Sequence, residues 1–430
     1  MRWISAAVLL SLLLTHTQAR AEPELVGFAK LPPHTFRDGP TSGQFIDLTD
    51  APFNGVTPPF ENKQPVQGIS SMIAGDEDGT YLALSDNGFG SKANSADYIL
   101  CVYEITPNFR TAKNPDGGDV DWSLAFELSD PNNHVPWPIV ADGETYPNSD
   151  IPVPAVIREK RLLTGADFDV ESMVRLPDGT FWIGDEFGPF LLHFDAQGRL
   201  MEPPVELPGE GMHSPDHPTK DPEAAKIQRS GGVEGLTTDD SGSRLFAVLE
   251  KPIQTETQLR RFAGTLYGSD NPFGVAGRLT GNRVFELKTT QSLGPNATAL
   301  GATDYLDLQA GFGFLSIERD SEQGEQAKSK TLVFGGSLKK WTRRELADLL
   351  GISDTSDLNH DAQFLFVFPF LTIESVLIQD EQVVLICNDN NYPFTNGRGT
   401  DDPDATEFIL IEFDKPLTEF ASELDTEPRP

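Results

Sequence analysis

The feature that most constrains the fold is a short strand-turn-strand pattern that recurs along the chain. One copy, VESMVRLPDGTFWIGDEFGPFLLHFD from Val170, consists of short apolar runs separated by Pro-Asp-Gly and Phe-Gly-Pro turns. Related copies begin at four other positions: Ile69 (ISSMIAGDEDGTYLALSDNGFG), Val233 (VEGLTTDDSGSRLFAVLEKP), Thr303 (TDYLDLQAGFGFLSIERD) and Ile373 (IESVLIQDEQVVLICNDNNYP). Short strands and tight turns recurring in this way indicate repeated β-meanders.

The spacing of the copies predicts a β-propeller. Aligned positions lie 101, 63, 70 and 70 residues apart, at Ser70, Glu171, Glu234, about Asp304, and Glu374. We therefore predict an all-β chain with six four-stranded blades, with five to seven allowed. The long first gap contains either another blade or an insertion, and Asp130 to Val156 has the Pro-, Asn- and Asp-rich composition of a surface loop. An irregular array of β-sandwiches is the alternative.

Two segments outside the repeat carry separate predictions. The strand-like ELVGFAKL (Glu24 to Leu31) is expected to close the propeller by pairing with the last strands, TEFILIEFD (Thr406 to Asp414). The segment SLKKWTRRELADLLG, residues 337–351, has apolar residues near helical spacing and ends in glycine, which predicts a short surface helix.

The first 21 residues have the composition of a secretion signal. Arg2 precedes an apolar run from Ala6 to Leu14, and Ala19 to Ala21 fits a small-residue cleavage site. The apolar run is too short to span a bilayer. We expect residues 1–21 to be a signal peptide and residues 22–430 a single propeller domain, with its core at about 68–413. The mature protein would then be periplasmic or extracellular; an uncleaved anchor is the alternative.

Charge and cysteine content exclude several classes of protein. The formal net charge is −33, and removal of Arg2 and Arg20 with the leader changes it to −35, which disfavours nucleic acid and anionic membranes as partners. Two cysteines, Cys101 and Cys387, exclude a disulfide scaffold and a zinc site of paired cysteine motifs, and two buried thiols are favoured over a bridge. Motifs for a nucleophilic serine, a zinc protease, a P-loop or a dinucleotide fold do not occur in the sequence.

Oxygen-bearing side chains recur at two positions of the repeat. The first strand carries an acid followed by a small residue in three copies, at Glu171, Glu234 and Glu374. The second strand ends 14 to 16 residues later in the polar pairs Asp86-Asn87, Asp185-Glu186, Glu250-Lys251, Glu318-Arg319 and Asn388-Asp389. Because equivalent positions of successive blades surround one axis, these side chains are expected to converge on a divalent-cation site of the Ca²⁺ type. Turn capping by Asp and Asn is the alternative.

Three segments of the repeat resemble a known family. DFDVESMVRLPDGTFWIGDEFGPFLLHFDAQGRL, GGVEGLTTD and LICNDNNYPF are similar to exported bacterial proteins that carry the "esterase-like activity of phytase" domain, a resemblance that covers roughly Gly68 to Phe413. It implies a propeller that hydrolyses phosphoesters, with Ca²⁺ bridging acidic side chains and substrate phosphate as in phytases of the propeller type. The acids that it implies here are Glu171, Asp185, Glu186, Glu234, Glu250, Glu318, Glu374 and Asp389.

We assign hypothetical roles to these residues. The expected metal ligands are Asp86, Glu171, Glu234, Glu250, Glu318, Glu374, Asn388 and Asp389. Asp185 or Glu186 is expected to position or deprotonate water, and strand alternation allows at most one of them to point into the site. Lys251 and Arg319 are expected to bind the substrate phosphate, unless they pair with Glu250 and Glu318.

The sequence is compatible with two other functions. A metal-dependent lactonase or carboxylesterase is one, because the Glu-Gly type of first strand also resembles the six-bladed gluconolactonase group. A non-enzymatic periplasmic binding propeller, stiffened by Ca²⁺, is the other. Both enzymatic hypotheses imply a small-molecule ester or phosphoester as the substrate.

Overall fold

The computed structural model describes residues 23–207, 209–238, 244–251, 253–254, 259–268, 283–289, 296–308, 311–337 and 341–423. The predicted signal peptide lies outside these ranges. The described residues contain two short α-helices, α1 (Ala155–Lys160) and α2 (Leu417–Glu423), and four 3-10 helices of three residues each, and otherwise form strands and turns. In chain order the strands are β1 (Glu24–Leu31), β2 (Phe36–Asp38), β3 (Lys63–Pro65), β4 (Ile69–Ala74), β5 (Tyr81–Ser85), β6 (Cys101–Asn108), β7 (Asp119–Glu127), β8 (Val170–Arg175), β9 (Phe181–Asp185), β10 (Phe190–Phe194), β11 (Val205–Glu206), β12 (Val233–Thr238), β13 (Arg244–Leu249), β14 (Ile253–Gln254), β15 (Leu259–Gly268), β16 (Arg283–Thr289), β17 (Ala299–Leu308), β18 (Gly311–Arg319), β19 (Lys330–Ser337), β20 (Trp341–Asp348), β21 (Ile352–Ser353), β22 (Leu365–Phe366), β23 (Thr372–Ile378), β24 (Val383–Asp389) and β25 (Thr406–Glu412).

Five sheets form the blades of a propeller, and their strands pair antiparallel except for β21, which pairs parallel to β1. From the axis outward they are β4-β5-β6-β7, β8-β9-β10-β11, β12-β13-β15 with β14 and β16 both paired to β15, β17-β18-β19-β20, and β23-β24-β25-β1 extended by β21 and β22. The innermost strands β4, β8, β12, β17 and β23 contact one another in a closed ring. The all-β propeller is confirmed, and the described strands form five blades, one fewer than the favoured count but within the predicted range.

The long first gap holds an insertion rather than a further blade. Residues 128–169, between β7 and β8, carry α1 and otherwise consist of turns. Apolar side chains from this insertion, among them Ile139, Tyr146 and Ile157, pack into the interface between the first two blades. The insertion therefore lengthens the repeat without adding a sheet.

Apolar contacts fill each space between adjacent blades. Successive interfaces are built from Leu84 with Ile183, from Trp182 with Leu236, from Phe246 with Tyr305, from Ile317 with Ile373, and from Leu385 with Ala83, together with their neighbours. Cys101 and Cys387 are buried as free thiols, as predicted. Burial of these faces is the main favourable contribution to folding in a sheet-on-sheet arrangement of this kind.

The predicted closure by the chain's ends is confirmed. Strand β1 pairs antiparallel with β25 along its length, from Glu24 opposite Glu412 to Leu31 opposite Thr406. The last blade therefore combines an N-terminal strand with three C-terminal ones, so that its hydrogen bonds join the two ends of the domain.

The predicted surface helix at 337–351 is wrong. Its described part contains β20, which pairs antiparallel with β19 as the outer strand of the fourth blade, with Ser337 opposite Trp341. Residues 338–340 lie outside the described ranges. Leu346 and Leu349, which supplied the helical spacing, are buried against the blade from the strand and from the turn that follows it. Pairing with β19 satisfies the backbone groups of this segment and overrides its local helical propensity.

Each innermost strand contains a β-bulge at the same point. The register with the second strand shifts between Ile69 and Ser71, Val170 and Ser172, Val233 and Gly235, Leu300 and Thr303, and Ile373 and Ser375. The unpaired residues are Ser70, Glu171, Glu234, Gly301 with Ala302, and Glu374. A bulge removes a residue from the ladder and redirects its side chain, which explains the recurrence of an acid followed by a small residue.

The fourth blade departs from the predicted alignment. Its bulge lies at Gly301, three residues before Asp304, so the fourth position of the ring carries no acid. Asp304 instead accepts a hydrogen bond from the amide of Ile378 in the next blade (2.8 Å). A side chain at Gly301 would overlap the carbonyl oxygen of Ile373, so glycine permits the close approach of the last two blades.

Candidate metal centre

Eight carboxyl groups and two cations form a cluster on the propeller axis, which we call the axial acidic cluster. The bulges contribute three of the acids, the ends of the second strands contribute four, and one precedes β8. The members are Asp86, Asp169, Glu171, Glu186, Glu234, Glu250, Glu374 and Asp389, together with Lys251 and Arg319. The structure therefore brings together most of the site residues that the repeat alignment selected.

Two groups of three carboxylates have the spacing of a cation site. One consists of Asp169, Glu171 and Glu186, and the other of Glu186, Glu234 and Glu250. Within each group, one oxygen atom from every residue lies within 4.8 Å of the others. All five residues are buried, with exposed fractions of 3 to 8%. Carboxylate oxygens at this spacing fit the ligand preference of Ca²⁺ and similar hard cations.

Three oxygen atoms in these groups have no hydrogen-bond partner among the described residues, namely Oδ1 of Asp169, Oε1 of Glu234 and Oε2 of Glu250. Of these, only Oε2 of Glu250 has a cation close by, Nζ of Lys251 at 3.0 Å. The nearest cation to Glu234 Oε1 is Nη2 of Arg319 at 3.9 Å, which is too long for a hydrogen bond. A buried carboxylate oxygen without a donor is costly unless a cation or a proton occupies the space beside it.

Arg319, at the end of the second strand of the fourth blade, links acids from the third and fifth blades. Its Nη2 lies 2.8 Å from Oε1 of Glu250 and 3.3 Å from Oε1 of Glu374, and the second oxygen of Glu374 accepts a hydrogen bond from Oγ of Ser70 (3.1 Å). Lys251 forms an ion pair with Oε2 of Glu250 (3.0 Å). The alternative pairing of Lys251 with Glu250 is therefore present, whereas Arg319 pairs across blade boundaries. Strand alternation turns the preceding residue, the fully buried Glu318, away from the cluster.

Burial and mutual repulsion raise the pKa values of the acids. The pKa values of Glu171, Glu186 and Glu234 lie well above the usual range because the groups are desolvated and surrounded by further carboxylates. Burial, followed by the charge of Asp389, raises the pKa of Glu374 to about 8. Burial raises the pKa of Asp389 itself to about 6, against the effect of hydrogen bonds from Asn391 and Thr372. Eight acids facing two cations must therefore bind protons or additional cations.

The neighbours Asp185 and Glu186 have different environments. Asp185 accepts hydrogen bonds from the amides of Asp169 (2.9 Å) and Gly188 (2.7 Å), so both of its oxygens hold the backbone around the turn. Burial raises its pKa to about 7. Glu186 points into the axial acidic cluster and belongs to both three-carboxylate groups. Of the two, Glu186 is thus the one that shares the central site.

Asn388, predicted as a ligand, is engaged with the backbone. Its Oδ1 accepts a hydrogen bond from the amide of Glu407 (2.7 Å), and its Nδ2 donates to the carbonyl of Ala405 (3.1 Å). These contacts hold the end of β24. The adjacent Asp389 faces the cluster instead, as alternation along a strand requires.

One member of the cluster and one cation beside it were not selected from the sequence. Asp169 lies two residues before Glu171, and the i,i+2 spacing in DFDVE was a usable signal because such residues share a face. Lys92 comes from a loop: it donates to the carbonyl of Asp216 (2.7 Å), and its Nζ lies 4.5 Å from the ring centroid of Phe187, next to Glu186. No pattern in the sequence connects Lys92 with this blade.

Fold and site together define a five-bladed propeller with a buried acidic centre on its axis. The model of the family described as "Phytase-like: Esterase-like activity of phytase" matches residues 64–392. This chain belongs to that family, as the three resembling segments indicated. Family and fold together assign it to the hydrolase-type propeller enzymes.

Comparisons with individual proteins are more distant. An "Uncharacterized secreted protein" of Arthroderma benhamiae is 29% identical over 105 residues, which are 20% of this chain and 20% of that protein. A thermostable family-43 glycoside hydrolase is 10% identical with a TM-score of 0.42, over 85% of this chain and 96% of its own. The PQQ-bound aldose sugar dehydrogenase of Streptomyces coelicolor is 11% identical with a TM-score of 0.29, over 91% of this chain and 99% of its own. The propeller fold rests on the sheets themselves rather than on these remote likenesses.

Within the part of the chain that the structure describes, no helix has the length and apolarity needed to cross a membrane.

Proposed function

We propose that this protein is an exported, metal-dependent phosphoester hydrolase that uses Ca²⁺ and acts at the axial acidic cluster. The observation that carries the proposal is the group of Asp169, Glu171 and Glu186, whose oxygens converge in a buried site while Oδ1 of Asp169 has no hydrogen-bond partner among the described residues. The family description and the leader sequence support hydrolysis and export, respectively.

The donor set fits the proposed cation. Asp169, Glu171 and Glu186 offer only carboxylate oxygens, the ligand type that Ca²⁺ prefers, and their burial removes competing water. A bound divalent cation would polarise a phosphoryl oxygen and lower the pKa of a coordinated water, which supplies a nucleophile that the sequence motifs do not.

Side chains of the cluster would bind the substrate phosphate, position the acids and position the attacking water. Lys251 is only partly buried, with 27% of its side chain exposed, so it is the cluster's cation within reach of an incoming phosphate. Arg319 lies deeper and fixes Glu250 and Glu374. Glu186, whose carboxylate lies in both three-carboxylate groups, would position the attacking water, while Asp185 holds the turn that positions Glu186.

The test is a hydrolysis assay with defined metal content. The mature chain, residues 22–430, would be stripped with a chelator and assayed with a phosphomonoester, a phosphodiester, phytate and a lactone, with and without Ca²⁺. We expect phosphoester hydrolysis that is lost on stripping and restored by Ca²⁺, and that is lost in Glu171→Gln but not in the exposed control Glu104→Gln. Absence of hydrolysis of every phosphoester in the presence of metal would exclude the proposal, and hydrolysis of the lactone alone would favour the lactonase.

A structural cation is the second candidate, and the observation that favours it is the burial of all five carboxylates in the two groups. In that case Ca²⁺ would stiffen the propeller without contacting a substrate. Glu171→Gln would then lower the melting temperature, and no substrate in the panel would be hydrolysed by either protein.

A further inference from the structure

We infer that the axial acidic cluster binds two divalent cations that share Glu186 as a common ligand. The inference rests on the proposed function and specifies the stoichiometry and ligands of the same site. One cation would be held by Asp169, Glu171 and Glu186, and the other by Glu186, Glu234 and Glu250. Glu186 is the member common to both groups.

Each group contains its own oxygen without a donor. Oδ1 of Asp169 belongs to the first group and Oε1 of Glu234 to the second, and both residues are more than nine-tenths buried. A single cation bound by the first group would leave Glu234 Oε1 with Arg319 at 3.9 Å as its nearest cationic partner. Two separate unsatisfied oxygens therefore indicate two separate positions for a cation.

The spacing of the first group supports a cation at that position. Oxygen atoms of Asp169, Glu171 and Glu186 lie within 4.8 Å of one another in a buried site. Ionised carboxylates at this distance repel one another, and a cation bound between them removes the repulsion.

Charge balance favours two cations over one. The eight carboxylates of the cluster, opposed by Lys251 and Arg319, have a formal charge of −6 when fully ionised. One divalent cation reduces this to −4 and two reduce it to −2. Because charge of one sign is strongly disfavoured in a buried site, the second cation removes a large part of the remaining repulsion.

The fourth blade supplies a cation, and not a further carboxylate, to the axial acidic cluster. Its bulge carries Gly301 and Ala302 instead of an acid, and the end of its second strand supplies Arg319. The guanidinium occupies the side of the cluster next to Glu250 and Glu374, at 2.8 and 3.3 Å. A built-in cation thus lies beside Glu250, a ligand of the second proposed ion, and compensates part of the charge on that side of the cluster.

The experiment is a measurement of bound Ca²⁺ per chain by equilibrium dialysis and elemental analysis, with circular dichroism as a check of folding. We expect two ions in the wild type and in the control Glu104→Gln. Glu171→Gln, which alters only the first group, and Glu234→Gln, which alters only the second, should each retain one ion. Glu186→Gln should retain none, because it alters both groups.

A second measurement does not depend on the variants. Crystals of the wild-type chain soaked in Mn²⁺ should show two anomalous peaks, one on each side of the Glu186 carboxylate. One peak or one bound ion would overturn the two-cation inference and leave the proposed function standing, whereas no bound ion would overturn both. Retention of an ion by folded Glu186→Gln would overturn the sharing of that residue.

Discussion

Arg319 joins acids from neighbouring blades, so its removal should be costly. Replacement by methionine keeps the bulk but leaves Glu250 and Glu374 without their cation in a buried site, which costs about 3–5 kcal/mol when a buried pair is broken. We expect Arg319→Met to lower the denaturation midpoint in calcium-free buffer. Arg175→Met is the matched control, because Arg175 pairs on the surface with the exposed Asp76. Equal midpoints for the two variants would contradict the buried role of Arg319.

Asp185 and Glu186 should respond to amide substitution in opposite ways. Asp185→Asn retains only one acceptor for the amides of Asp169 and Gly188, and the loss is expected to lower the free energy of unfolding by about 1–3 kcal/mol. Its bound calcium should be unchanged. Glu186→Gln should lose calcium but melt at a higher temperature than the wild type in chelator, because one like charge is removed from the cluster. Differential scanning calorimetry with and without Ca²⁺ checks both, and loss of calcium by folded Asp185→Asn would contradict the division of roles.

Asp97 provides a pH-dependent contribution away from the axis. Its carboxylate accepts hydrogen bonds from the amides of Gly43 (3.0 Å) and Gln44 (2.8 Å), and burial raises its pKa to about 6, above the usual range of an aspartate. Because the folded protein binds this proton more tightly than the unfolded chain, its stabilising effect is present below pH 4 and is lost as the pH rises to 6.

Asp97→Asn tests the predicted fall in stability as the pH rises. The variant should show a smaller decline in the free energy of unfolding between pH 4 and pH 6, by up to about 3 kcal/mol for a shift of this size. Urea denaturation at a series of pH values measures the slope, and the exposed Asp150→Asn serves as the control. A slope identical to that of the wild type would show that Asp97 does not titrate in this range.

At the scale of the element, the innermost strand with its bulge is the unit that builds the site. Ser172, Gly235 and Ser375 follow the bulged acids, and each is buried next to the axis. The small residue leaves room at the crowded centre, while the bulge directs the acid before it toward the cluster. The pattern of an acid followed by a small residue is therefore a signature of strand geometry as well as of chemistry.

Gly301 tests the close packing of these elements. Gly301→Ala would place a methyl group against the carbonyl of Ile373 and separate the fourth and fifth blades. We expect a loss of about 1–3 kcal/mol, the usual cost of overpacking a buried site. Gly351→Ala is the control, because no atom lies within 4 Å of the position that its methyl group would occupy. Equal unfolding midpoints in urea for the two variants would contradict the packing role of Gly301.

At the scale of the whole molecule, the net charge of −33 and the proposed cation binding at the axial acidic cluster predict that stability depends on divalent cations. Calcium that binds the folded protein and not the unfolded chain stabilises it by mass action, by about 2.7 kcal/mol at a free concentration one hundred times the dissociation constant. We expect the melting temperature to fall in chelator and to rise again with Ca²⁺, and NaCl at equal ionic strength not to replace it. Glu186→Gln should show no such rise, and a calcium response that persists in this variant would place the binding elsewhere.

Much of this architecture is encoded locally and can be predicted from the sequence. Tight turns, short apolar runs and the recurrence of Glu171, Glu234 and Glu374 predict a propeller and the acids on its axis, because strand periodicity and turn chemistry act over a few residues. The same local information was insufficient for residues 337–351, where pairing of β20 with β19 outweighed the helical spacing. The sequence alignment of the repeats also placed the fourth equivalent position at about Asp304, three residues after the bulge at Gly301, because no acid is present at that bulge.

Local sequence patterns were enough to predict the fold class, the pairing of the terminal strands and most members of the axial acidic cluster. The folded chain was needed to show the number of blades, the entry of Glu186 rather than Asp185 into the cluster, the pairing of Arg319 across blades and the contribution of Asp169. These depend on which side chains meet from distant segments, and such contacts follow from blade packing and bulge geometry rather than from any one strand. Asp185 and Glu186 are adjacent in the chain at the end of β9. In the folded protein the Asp185 carboxylate accepts a hydrogen bond from a backbone amide, whereas the Glu186 carboxylate lies in the cluster on the propeller axis.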